Sequence, residues 1–97
     1  MPFDIILAPQ AIEDFKRLKA HIRAELRDAM ETHLRREPAK TSRSRIKRLR
    51  GLRQPQYRLR VGEIRVFYDV IEETVEVLAI VAKSETEEWL RQFGKAV

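Results

Sequence analysis

Apolar residues recur along this chain with two different periods, and the switches between them mark its elements. Phe3 to Leu7 is a short β-prone run ended by Pro9, which predicts a first strand. From Pro9 onward Ile12, Phe15, Leu18, Ile22, Leu26, Met30 and Leu34 follow helical spacing until Pro38 stops them. One unbroken helix there would be about 40 Å long, too long for a small domain, so a break near Lys19 to His21 and a helical hairpin are expected. Glu13 and Asp14 are placed in the first turn of the first helix, where the helix dipole favours acids. Glu37 to Gln56, with Pro38, Gly51 and Pro55, predicts a mobile connector with at most a short ordered piece around Ile46 to Leu52. Val75 to Ala82 alternates strictly and then becomes apolar on both faces, as a central strand does. Ser84 to Glu87 has capping-box spacing, and Trp89, Leu90 and Phe93 stripe a last helix that Gly94 closes.

The most informative stretch is Tyr57 to Tyr68, where the period is two. A turn at Gly62-Glu63 pairs Val61 with Ile64, Leu59 with Val66 and Tyr57 with Tyr68 on one apolar face. The same register sets Arg60 opposite Arg65 and Arg58 opposite Phe67 on the other. Like charges facing across a ladder destabilise it by about 0.2 to 1 kcal/mol, so an anion between them is expected, and phosphate suits best.

Composition sharpens this picture in one respect. Among the 97 residues the net charge is +5, yet residues 35–65 hold twelve Lys or Arg against two Glu, and the remainder is net acidic. A local basic field favours polyanions, either nucleic acid or an acidic protein partner. The length fits a single domain over residues 1–97, and the absence of cysteine excludes a disulfide framework, a thiolate nucleophile and a Cys-based metal site. No apolar run reaches membrane-spanning length and no signal peptide is evident, so a cytoplasmic protein without membrane attachment is expected. His21 and His33 lie in the helical region and read as surface or boundary residues, with no metal site expected.

The order strand, helical hairpin, basic connector and three strands carries further marks: Leu49-Arg50-Gly51-Leu52, Tyr57-Arg58-Leu59-Arg60-Val61-Gly62 and Arg65-Val66-Phe67-Tyr68, with Lys83 just past the last strand. In these features the chain resembles the RelE/ParE superfamily of bacterial type II toxins, from Phe3 to about Phe93. The resemblance implies an α+β fold, with an N-terminal strand, a helical hairpin on a mostly antiparallel four-stranded sheet, and a short C-terminal helix. It implies a toxin that cleaves ribosome-bound messenger RNA without a metal or other cofactor, an mRNA interferase that stops translation. It also implies a cognate antitoxin with an acidic segment, forming a toxin–antitoxin hetero-oligomer.

By this resemblance Arg58, Arg60 and Arg65 fall on positions that are basic in RelE-type nucleases and would stabilise the scissile phosphate, with Lys83 assisting. Ser84 and Leu90 stand where such enzymes carry catalytic groups, which leaves Glu85 or Glu88 as the proton-transfer candidates. Arg45, Lys47, Arg48, Arg50 and Arg53, beside Arg43, are expected to hold RNA backbone, and Phe67, on the cationic face with Arg58, either to stack on a base or to be covered by a partner protein. Two alternatives stand beside this reading: a ParE-like toxin that binds DNA gyrase without cutting nucleic acid, and a non-toxic RNA-binding relative.

Overall fold

The computed structural model describes residues 2–97. Strand β1 (Asp4–Leu7) leads into helices α1 (Pro9–Lys16) and α2 (Ala20–His33), which break at Arg17 to Lys19. Pro at the first helical position of α1 presets the backbone for the helix. There follow β2 (Ile46–Arg48), β3 (Leu52–Gln54), β4 (Tyr57–Val61), β5 (Ile64–Ile71) and β6 (Thr74–Ala82). A short 3-10 turn then precedes α3 (Thr86–Phe93) and β7 (Lys95–Ala96).

Five strands form the main sheet, in the order β1-β6-β5-β4-β2, one more than the four expected, and β3 pairs with β7 in a separate two-stranded ribbon. The extra strand and the ribbon both draw on the connector expected to be mobile. Its fold is held by one buried bond, from Tyr68 Oη to the Pro38 carbonyl at 2.6 Å, and by a surface turn in which Ser42 Oγ accepts from the Arg45 and Ile46 amides at 3.0 and 3.3 Å. Only β1 runs parallel to its neighbour, β6.

The sheet's helix-covered face is dry. Leu26 and Met30 of α2, with Leu34 just past its end, meet Leu59, Val61, Val66, Tyr68, Val75, Val77 and Ile80 of the sheet. Burying each large apolar side chain contributes roughly 1.5 to 3 kcal/mol.

Two local expectations are corrected. Glu13 and Asp14 lie beyond the first turn of α1; Asp14 Oδ2 instead accepts the Ile80 amide at 2.9 Å, beyond the last residue of β6 that β1 reaches. Ser84 does not cap α3, because Lys83 to Glu85 coil into the 3-10 turn and no side chain bonds the helix start.

Strict alternation in β6 also fails. Phe67 pairs with Ala79 and Tyr68 with Val77, which leaves Leu78 as an extra residue in a bulge. Val75, Val77 and Ile80 therefore all reach the core, while Leu78 is turned to the opposite face, beside Trp89.

Candidate functional site: a cationic cleft on the open sheet face

The β4–β5 hairpin adopts the register that its sequence predicts, including Arg60 opposite Arg65 and Arg58 opposite Phe67. Gly62 opens the turn at φ +58, a left-handed conformation in which a side chain would be strained. Two further elements bring more charge to this face. Lys47 of β2 pairs with Arg58, and the Lys83 amide donates to the Glu63 carbonyl at 2.8 Å, which pins Lys83 beside the turn. An open cleft of about 330 Å³ results, lined by Arg43, Lys47, Arg58, Arg60, Arg65 and Lys83, with Ser44 among them.

None of these cations forms an ion pair among the described residues; the four pairs present are Lys16–Glu13, Arg35–Glu31, Lys40–Glu37 and Arg91–Glu88. Arg65 is 7% exposed and spends one nitrogen on the turn, Nη1 donating to the Gly62 and Ile64 carbonyls at 2.8 and 3.0 Å. Arg58 is less well served. Its Nε is buried without a partner, and its Nη2 reaches the Ser44 carbonyl only at 3.5 Å. Burial, then the neighbouring Arg65 and Arg60 charges, pull the Arg58 guanidinium below its ordinary pKa. A cleft of like charges with an unsatisfied buried donor is arranged for an anion, and an oxyanion bearing several acceptors answers all of these groups at once.

The other expected site residues divide sharply. Arg45 lies next to the cleft, in a smaller hollow with Ser44, Arg60 and Gly62. Arg48 turns to the opposite face, its guanidinium 5.2 Å from the Tyr57 ring centre and bonded to the Gln56 carbonyl at 2.8 Å. Arg50 and Arg53 are exposed and outside the cleft. Glu88 pairs with Arg91, and Glu85 is exposed without lining the cleft, so the structure brings neither to the arginines.

Phe67 requires a correction: it is 1% exposed, its ring stacked on Trp89 at 4.9 Å and 4°, so the exposed base platform expected there is covered by α3. Sequence reading passed over Ser44 and Glu63. Glu63 shares a hollow with Lys83 and Ser84 beside the cleft, a placement that the backbone bond between Lys83 and Glu63 creates. No group of three or more His, Cys, Asp or Glu positioned to hold a metal ion occurs among the described residues. No helix among them is long and apolar enough to cross a membrane.

Known structures share this architecture. The RelBE2 toxin–antitoxin complex from Mycobacterium tuberculosis superposes with a TM-score of 0.69 at 24% identity, covering 84% of this chain and 99% of that one. A mutant of the E. coli toxin RelE in its free state gives 0.72 at 18% identity, covering 96% and 99%. The YoeB–YefM complex from Staphylococcus aureus gives 0.61 at 20% identity, covering 80% and 93%. The fold is that of the RelE-like α+β toxins. The sequence profile of the ParE toxin of type II toxin-antitoxin systems, parDE, matches residues 5–86, and the chain belongs to that family, within the RelE/ParE superfamily. No curated protein sequence matches it.

Proposed function

We propose that this type II toxin acts on messenger RNA at the ribosome, cleaving it by charge stabilisation in the cationic cleft. The observation that carries the reading is the unpaired Arg58, with its orphaned buried Nε, beside Arg60 and Arg65. In metal-free RNA cleavage the ribose 2′-oxygen attacks the adjacent phosphorus and the 5′-oxygen departs, while negative charge grows on the non-bridging oxygens. Arg58, Arg60 and Arg65, with Lys83 at the rim, supply fixed positive charge where that charge develops. Arginine holds its proton too firmly to serve as a base, so proton transfer falls to other groups. Glu63, beside Lys83 at the edge of the cleft, is better placed for it than Glu85. Lys47 and Arg45 extend the phosphate track along β2.

Toxins of this fold have been solved with antitoxins, among them RelBE2, the RelB–RelE complex of Methanococcus jannaschii and YoeB–YefM. A cognate antitoxin with an acidic segment would cover the same unpaired cations and form a toxin–antitoxin hetero-oligomer.

A second reading, binding to DNA gyrase, is favoured by the ParE family match and by the lack of any carboxylate, imidazole or phenol among the residues lining the cleft. Induced expression without an antitoxin separates the two. Protein synthesis failing before DNA synthesis, with Arg58→Ala harmless, supports the RNA reading. DNA synthesis failing first, with ongoing translation, overturns it in favour of gyrase.

A further inference from the structure

Beside the cleft, on the same sheet face, lies a cavity of about 230 Å³ lined by Gln10, Gln54, Leu78, Trp89 and Phe93. The β6 bulge turns Leu78 into it, and its aromatic wall is Trp89 with Phe93, tilted at 39° and 5.5 Å apart, Trp89 being backed by the buried Phe67 stacked on it at 4.9 Å. Its polar groups are tied to neighbouring carboxyl groups. Gln10 Nε2 donates to Asp14 Oδ1 at 2.8 Å, and Gln54 Nε2 donates to Asp69 Oδ2 at 2.6 Å. Asp14 and Asp69 are themselves anchored, Asp14 by the Ile80 amide and Asp69 by the Gln56 amide at 2.8 Å. With each amide nitrogen turned to a carboxyl group, each Gln Oε1 is left as an acceptor that no donor among the described residues occupies.

We propose that this cavity receives an RNA base, one that carries an exocyclic amino group. The inference rests on the RNA reading above and names what that reading leaves open, the part of the substrate recognised beyond its phosphate. An apolar ring wall with two free acceptors matches a heterocycle that stacks and donates hydrogen bonds. Adenine, cytosine and guanine offer an amino group, whereas uracil offers only a ring N–H, so adenine and cytosine against uracil isolate the amino group. An apolar side chain from a protein partner would cover both amide oxygens and satisfy neither, which disfavours that occupant. The route is short, because Phe67, which stacks on Trp89, is the cross-strand partner of Arg58. A phosphate held by Arg58 therefore places the neighbouring base beside the ring stack.

Trp89 is the only tryptophan in the chain, so its fluorescence reports on this cavity directly. The test uses the whole purified protein with 2′-O-methyl single-stranded hexamers of A, of C and of U, and an abasic hexamer carrying the same phosphates. The A and C hexamers should change Trp89 emission and bind roughly tenfold tighter than the abasic strand, with U weaker than both. Gln10→Leu, at an exposed position on α1, should remove the preference for A and C over U and leave abasic affinity unchanged. Equal affinity for abasic and base-bearing strands, with unchanged emission, overturns the base site while leaving phosphate binding in place. Failure of every hexamer to bind overturns the base site, whereas intact messages in cells arrested by the toxin overturn the RNA reading and the base site with it. A response of Trp89 to an acidic, leucine-bearing peptide but not to any hexamer assigns the cavity to a protein partner and also overturns the proposal.

Discussion

On the helix-covered face of the sheet, Leu59, Val66, Tyr68, Val75 and Val77 are fully removed from water. One residue away along β4 and β5, on the other face, Arg58, Arg60 and Arg65 crowd together with no acidic partner. The first face is explained by folding alone, since every group on it gains from burial. The second works against folding: like charges oppose each other and a buried donor stands unpaired, which is the signature of a surface kept for a ligand. Because the two faces share the same strands, substitutions one residue apart should have opposite consequences.

The largest effect on stability belongs to the dry face. Leu59→Ala should lower stability by about 2 to 5 kcal/mol in a denaturant titration, through lost transfer energy and the cavity left behind. Tyr68→Phe should cost about 1 to 3 kcal/mol, because the Pro38 carbonyl loses its buried donor. Tyr68 also gives that face a pH signature. Burial, helped by the adjacent Tyr57, raises its pKa well above the usual 10, so the folded state keeps a proton that the unfolded chain releases. Its contribution is present in full below about pH 10 and is lost as pH rises above that value, and unfolding curves of Tyr68→Phe should lack this alkaline decline.

Arg58→Ala inverts the comparison. Removing an orphaned donor and a like charge should leave stability unchanged or raise it by roughly 0.2 to 1 kcal/mol, while toxicity on induction disappears. Loss of both stability and toxicity would make Arg58 a structural residue and erase the distinction between the faces. Arg65 is the poorer probe, since its bonds to the Gly62 and Ile64 carbonyls also hold the turn.

The smallest effect should come from His33, whose pKa is lowered by burial and then by Arg45. An unfolded chain takes up this proton more readily, so stability should fall slightly as pH drops below about 6.5, and His33→Gln should flatten that slope in thermal melts.

Much of the dry face and half of the open one were legible in the sequence. Hairpin register followed from period-two alternation and one glycine, and it put Arg58, Arg60 and Arg65 together without any structure. Local pattern carries no such information about contacts between distant segments. The bulge at Leu78 interrupts an alternation that looks regular, because only pairing with β5 reveals the extra residue. Strand β7 is two residues long and pairs with β3 across the chain, a contact no local period announces. The register alone leaves Phe67 open on the cationic face, because its cover, Trp89, arrives from a helix more than twenty residues later. The Gln10–Asp14 and Gln54–Asp69 pairs likewise come to line one cavity only when α1, β3 and α3 meet.

The measurement that tests the central claim most directly is the mapping of messenger RNA 5′ ends after induction, on matched translated and untranslated transcripts, for the intact toxin and for Arg58→Ala. New ends confined to translated messages, present with the intact toxin and absent with Arg58→Ala at equal protein level, are the predicted result. Intact messages in cells arrested by the toxin would contradict it, and would make the cationic cleft a docking surface for another target.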